Sequence, residues 1–565
     1  MKDRSNICYN LKPKREDSKL KKAKTTRILA LVLSMIMMVT AFSGCSSESN
    51  KSDVTSGQTK QSLVYNMSAE CASIDPAIND TVIGATIANA NFEGLTRQDE
   101  NGNIKEGVAK NWDISTDGLV YTFTLREDAK WSDGQPVKVE DFEYAWKRAL
   151  DPKLAAGYAF FLNDYIKNAQ EFYEGNAKWE DVGIKIKDDK TIEITLKKPT
   201  GYFLQLVASP IYMPLRADII DKAPEKWTQN GDTYIGNGPF QMEKWIHNDS
   251  ITFKKNTNYW DAKNVKLDHM TFVMVNDASS ALTSWEKGEI DVIETVPSSE
   301  VPRMIEEKKV SFSPYISNIF VYFNATNKAL SDVRVRKALQ LSIDRDAIVT
   351  AVTRAGEKPA YAFVSPGIKE ADGKTDFREK GGDLFKADID QAKKLLADAG
   401  YPDGTGFPEI TYLYNTSDNN KKIAESIQAH WKQNLNIDIK LENIEWSVFI
   451  DRRRKEHNYD MARGSWVGDY ADPMTFLEMF ESKSKFNDAQ YNSPEYDKII
   501  AQINAESNAE KRSDLMHQAE KILMDDAVVA PIYFPFSKLF IRDGVKGLYT
   551  IPTGTLYFDH VTIEK

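Results

Sequence analysis

Apolar and polar residues follow two periods along this chain, and segments of the two kinds are interleaved. Leu63, Tyr65 and Met67 stand at period two and predict a strand where the folded body begins. Ile184, Ile186, Ile192, Ile194 and Leu196 repeat that period on either side of Asp188-Asp189-Lys190, which predicts a hairpin with one buried face. Other stripes have helical spacing. Phe142, Ala145, Trp146, Ala149 and Leu150 form one that begins near Glu140 and stops before Asp151-Pro152. A second helix is expected to start at Ser331 as N-cap and to run through Val335, Leu339 and Ile343. A third, Asp390 to Ala399, ends at Gly400, the residue type suited to a left-handed position after a helix. Ile423, Ile427 and Trp431 then share a helical face, and Ile437, Ile439 and Leu441 alternate as a strand, which together predict a βαβ-type unit. Strands and helices mixed in this way predict α/β lobes rather than a sandwich or a bundle.

The N-terminus has a different pattern. Ten Lys or Arg against three acids precede Cys45, and Ile28 to Phe42 supply fifteen residues without charge. That run has the length of a signal-peptide core and falls short of the ~20 residues that span a bilayer. Ser43 and Gly44 make a small-residue cleavage site whose next residue is the Cys45 thiol. The site resembles a bacterial lipobox, with Phe42 where Leu is usual, and the resemblance implies a signal peptide over 1–44 and lipid attachment at Cys45. The alternative is an uncleaved signal anchor, and both place the body outside the cytoplasmic membrane. Ser46 to Gln61 contains no aromatic residue and a single Val, so residues 45–62 are expected to be a disordered tether.

Charge and cysteine usage narrow the classes. Removing residues 1–44 takes away +7, so a net −10 becomes −17. A nucleic-acid partner is excluded on that ground, because phosphate binding needs a concentrated basic surface. Cys71 alone remains in the body, so no internal disulfide is available. The remaining length exceeds what one core supports, and two or three lobes are expected. There is no G-x-S-x-G elbow, no H-E-x-x-H pair and no metal-ligand spacing among the six His. Gly236-Asn-Gly238-Pro-Phe240 is Gly-rich, but Pro239 lacks an N–H and no Gly-Lys-Ser/Thr follows, so it reads as a turn and not a nucleotide site. No cofactor, metal or catalytic residue is expected.

The densest candidate for chemistry is DRRRKEHNYDMARGSWVGDYADP, residues 451–473, whose Met461-Ala462 and Trp466-Val467 read as strand or strand edge. Arg offers a planar fork for a carboxylate, Asp a counter-charge for an ammonium and Trp a flat apolar wall. A free peptide presents those three group types. A charged surface strand followed by a turn fits the same residues.

Five ordered blocks resolve that choice. Residues 107–152, with NWDISTDGLVYTFTLREDAKWSDGQPVKVEDFEYAWKRALDP, are followed by GNGPFQMEKW (236–245), KNTNYWD (255–261), DVRVRKALQLSIDRDAIV (332–349) and SWVGDYADPMTFLEMF (465–480). Together they resemble solute-binding protein family 5, over roughly residues 63–563, and within it the oligopeptide-binding proteins of ABC importers. The resemblance implies a bilobed, periplasmic-binding-protein-like α/β fold of two hinged mixed-sheet lobes with an extra inserted domain. Lobe I would comprise 63–93, 217–319 and 537–565, the inserted domain 94–216 and the other lobe 320–536. It implies no enzyme activity, a monomer, oligopeptides as ligands, and as partners a membrane permease with its ATPase on separate chains. Anchoring by lipid without an outer-membrane cue implies the outer face of a Gram-positive cell membrane.

Carried over position by position, Asp469 matches the acceptor of the peptide α-ammonium. Trp466 and Trp446 match walls, Arg454 and Arg463 basic positions for ligand carboxylates, and Asp80 and Tyr158 the opposite wall. The backbone from Gly464 to Val467 matches the segment that pairs with the ligand main chain. Asn420 stands where the well-studied type of binder has a His reaching the C-termini of longer ligands, Asn327-Lys328 sets its Lys one position late, and Glu294-Thr295 replaces an Asn pair that contacts the ligand backbone. Peptide length therefore does not carry over. A signalling or cell-wall peptide, a nickel chelate or an oligosaccharide stays open as ligand, as does, more remotely, a secreted hydrolase.

Overall fold

The computed structural model describes residues 61–564, within one compact unit spanning Thr59–Lys565. Cys45, the apolar run before it and the expected tether up to residue 60 lie outside the described residues. The body starts earlier than Leu63. Its first strand is Ser62–Asn66, and the Gln61 side chain both donates to and accepts from the Ile563 backbone, at 2.9 Å each. Gln61 and Ser62 are polar, so no alternation marked them, and they belong to the body rather than to a tether.

Three larger sheets organise the chain. Ser62–Asn66 lies inside a seven-stranded mixed sheet, parallel to His269–Val273 on one side and Val292–Ile293 on the other. A four-stranded antiparallel sheet holds Ala109–Ile114, Val120–Leu125, Thr191–Thr195 and Ile184–Asp188, the last two forming the hairpin read from alternation. A six-stranded sheet centres on Ser317–Phe323, antiparallel to Met461–Val467 and Val529–Phe534. All seven residues of Ser317–Phe323 are buried, which removes the alternation that marks a half-exposed strand. Ile410–Asn415 and Ile439–Ile444 run parallel in this sheet, joined by helix Asp418–Leu435 with Ile423, Ile427 and Trp431 buried. That is the predicted βαβ unit, although Ile437 precedes its second strand.

Helix Val139–Ala149 buries Phe142, Ala145, Trp146 and Ala149 as the stripe required, and Ile389–Asp398 ends just before Gly400, whose φ is +100°. The second predicted helix needs correction. It is Val333–Leu341, capped by the Asp332 carboxylate, which accepts from Arg334 N–H at 2.8 Å, while Ser331 Oγ donates backwards to Lys328. Adjacent Ser and Asp both cap well, and periodicity does not choose between them. Ile343 lies beyond the end, where Asp344 caps a new turn. Gly236 and Gly238 have a packing role as well. A Cβ at either would lie within 3 Å of the Asn91 backbone, so the Gly-rich element is a close approach of two chain segments.

The chain passes between the seven- and six-stranded sheets twice, through residues 314–316 and 535–536.

Candidate functional site

Strand Met461–Val467 is central in its sheet at one end and open at the other. Ser317–Phe323 covers one edge along all seven residues, whereas Ile410–Asn415 covers the second edge only at Met461 and Ala462. Alternate residues of an extended strand direct their N–H and C=O groups to opposite edges. Gly468 N–H donates to Ile316 and the Trp466 carbonyl accepts from Ser317 Oγ, so the backbone groups of Ser465 and Val467 face the open edge.

That edge borders a cavity of about 840 Å³. Of the ten ligand-binding residues expected from sequence, eight line it: Asp80, Tyr158, Trp446, Arg454, Arg463, Trp466, Val467 and Asp469. Gly464 and Asn420 do not. Gly464 faces the Phe320 ring, which leaves no room for a Cβ, and Asn420 turns its amide to Asn415 within the first turn of its own helix.

Each lining side chain is held by a specific contact. Asp469 receives a 2.8 Å hydrogen bond from Tyr158 OH, and its own N–H donates to Thr475 Oγ1 at 2.8 Å. Loss of water pushes its pKa up from 3.8 to about 7, offset only in part by the Tyr158 hydrogen bond and the Arg454 charge. This carboxylate has no cation within ion-pair distance among the described residues and is poised to accept one. Arg454 reaches Asp80 at 3.3 Å, and although burial opposes its charge, Asp488 and Asp80 hold its pKa above the ordinary value. Its guanidinium also covers the Phe486 ring. Trp466 is fixed by its indole N–H, which donates to the Thr475 carbonyl at 2.7 Å, and Trp446 stacks beside Phe449. Arg463 has the opposite condition to Asp469. Burial lowers its pKa, and its side chain donates a 3.3 Å hydrogen bond to Ser465 Oγ, with no carboxylate in ion-pair range among the described residues.

The site therefore carries an unpaired carboxylate after one end of a strand, an unpaired guanidinium toward the other, and free main-chain hydrogen-bonding groups between. The C-terminal segment also contributes Ile551, Thr553, Thr555 and Tyr557, and the segments that follow strands Ser62–Asn66 and His269–Val273 contribute Glu70 and Asn276. No sequence signal marked these residues, because their role comes from chain return over hundreds of positions.

The Asp469–Tyr158 and Arg454–Asp80 contacts bridge opposite walls. Further along the same boundary, Tyr202 stacks on Tyr470 at 4.5 Å and 2°, and Gln205 Oε1 accepts from Ala471 N–H at 3.0 Å. The described body is therefore closed over its cavity.

Residues 103–488 match the family described as bacterial extracellular solute-binding proteins, family 5 Middle. The dipeptide-binding protein DppE of Bacillus subtilis is 38% identical over 93% of this chain and 96% of its own length. The oligopeptide-binding protein OppA of the same organism is 37% identical over 95% and 99%. The solved murein tripeptide binding protein MppA of Escherichia coli is 35% identical over 90% of this chain and 99% of that one, with a TM-score of 0.82. An unliganded open form of MppA gives only 0.64, in keeping with the wall-to-wall contacts here.

Proposed function

This chain belongs to the bacterial extracellular solute-binding proteins of family 5, and on that premise we propose that it captures oligopeptides in the cavity and delivers them to an ABC permease. Its body would catalyse nothing, and the energy would come from an ATPase on another chain. Cys45 would carry lipid that holds the protein at the outer face of the membrane, as a monomer. The lobes would divide as 61–93 with 217–319 and 537–565, an inserted domain 94–216, and 320–536, with the two passages at 314–316 and 535–536 as hinge. Few backbone torsions need change there for the lobes to part.

The observation that carries the reading is the open edge of Met461–Val467 with Asp469 just past its end. An extended ligand adds to that edge as a strand, and main-chain pairing is blind to side chains. The α-ammonium is then met by Asp469. An oligosaccharide or a nickel chelate offers neither an extended amide backbone nor a terminal ammonium in that register, and the site favours peptides over both.

The test is calorimetry with the soluble body, stripped of co-purified ligand by unfolding and refolding. Di- to pentapeptides of mixed sequence are expected to bind and to raise the Tm by RT ln(1 + [L]/Kd) divided by the unfolding entropy. Maltose oligomers and nickel-histidine are expected to do neither. Binding of either of those, with no peptide of the pool bound, overturns the proposal.

A further inference from the structure

The cavity contains a second desolvated acidic group besides Asp469, at a position where the resemblance expects an uncharged Asn. Glu294 follows strand Val292–Ile293 and projects into the cavity from the seven-stranded sheet. One of its oxygens accepts from Tyr65 OH, whose ring is fixed in the core against Phe272 and Phe558. Among the described residues, no Lys, Arg or His lies within ion-pair distance of Glu294, and its second oxygen is not among the buried unpartnered atoms, so it faces the open cavity. Burial raises its pKa, with the Tyr65 hydrogen bond working against that shift.

The charge balance of the lining points the same way. Six carboxylates line the cavity, Glu70, Asp80, Asp277, Glu294, Asp418 and Asp469, against three guanidiniums, Arg453, Arg454 and Arg463, and no Lys or His. Two of those guanidiniums already have partners, Arg453 at 2.9 Å from Asp488 and Arg454 at 3.3 Å from Asp80. One ligand ammonium on Asp469 balanced by one ligand carboxylate on Arg463 leaves the lining acidic. A zwitterionic peptide does not correct that excess, and a peptide with a cationic side chain does.

We propose that Glu294, held by Tyr65, is a specificity subsite for a cationic side chain, a Lys or Arg of the bound peptide. The inference rests on the peptide-binding reading and deepens it. A charge-assisted contact of this kind is expected to favour the basic peptide by about ten- to a hundredfold over an uncharged one of the same shape.

The experiment is a positional walk by calorimetry. Tetra-alanine is compared with variants carrying Lys, norleucine or Glu at each position in turn, since norleucine matches the Lys stem without its charge. Wild type is expected to prefer Lys over norleucine by about ten- to a hundredfold at one position of the walk, and to bind Glu there more weakly than either. In Glu294→Gln the ratio of Lys to norleucine is expected to fall to near one, and in Glu294→Asp to persist. Equal affinity for Lys and norleucine at every position in wild type overturns the subsite, as does a Lys advantage that survives in Glu294→Gln. Should Glu294→Gln fail to fold, the wild-type Lys, norleucine and Glu series still decides. Failure of tetra-alanine and of all its variants to bind is a different result, because it removes the peptide reading itself.

Discussion

Asp469→Asn keeps the volume of the side chain at the end of the open strand and removes its charge. In the unliganded body that carboxyl is raised from 3.8 to about 7 by exclusion of water. About three pKa steps, at about 1.4 kcal/mol each, place the ionised form about 4 kcal/mol above its cost in water. An α-ammonium brought into contact supplies the missing counter-charge. Deleting one member of such an enclosed pair costs about 3–5 kcal/mol, so affinity for free peptides is expected to fall by about 10²–10³-fold or more. N-acetylated peptides should lose a comparable amount with wild type, and the two losses should be less than additive because they remove one interaction. A proton signature accompanies the loss. Below about pH 7 the ligand must displace a proton from Asp469, so Kd should rise by about tenfold per unit as pH falls from there, and it should rise again above about pH 8, where the peptide α-ammonium loses its own proton. Calorimetry at pH 6 in two buffers of different ionisation heat should count about one proton released per free peptide with wild type. It should count about one fewer with Asp469→Asn or with acetylated peptide. If acetylated and free peptides bind wild type equally, or if the mutant releases the same proton, the assignment of Asp469 to the ammonium is wrong.

Three further outcomes are expected. Asp469 and Glu478 are both raised by burial, to about 7 and about 8 from ordinary values of 3.8 and 4.5. They bind protons more tightly folded than unfolded, so their contribution is fully present below about pH 4 and is lost as pH rises to about 8. Between pH 4.5 and 8 the Tm of unliganded Glu478→Gln should therefore fall less than that of wild type; parallel curves would contradict the sign. Gly464→Ala should lower the Tm by several degrees, because the new Cβ would stand 2.3 Å from the buried Phe320 ring, and overpacking of that kind costs about 1–3 kcal/mol. An unchanged melting curve would show that the ring yields. Cys45→Ser should abolish metabolic fatty-acid labelling and shift the protein from membrane to medium or leave the uncut precursor, since stable retention requires more than one acyl chain. Labelling equal to wild type would end the lipobox reading.

Local chemistry was legible in the residues themselves. Alternation marked the 184–195 hairpin entirely, because one buried face leaves every second residue apolar there, and Leu63 and Tyr65 marked Ser62–Asn66 nearly to its start. The stretch 451–473 stood out because Arg, Trp and Asp crowd into it, and the structure places its strand at the cavity edge. Ordered blocks also carried the family, which the matched relatives share over nearly the whole chain. Central strand Ser317–Phe323 was not legible, since burial on both faces erases the period. Nor was the reason for Gly236 and Gly238, which depends on a backbone about 145 positions away.

The site divides in the same way. Sequence determined which groups are available, an acid at 469, a guanidinium at 463 and extended backbone between them. Tertiary structure decided which of them are unpaired. Arg453 and Arg454 differ little from Arg463 in sequence context, yet the first two face Asp488 and Asp80 while Arg463 faces the cavity with a single hydroxyl. Asp469 and Glu294 likewise have lost water without gaining a cation, a condition that their residue type does not announce. Desolvation and pairing are set by which distant segments converge, and a one-dimensional pattern of residue types does not contain that convergence.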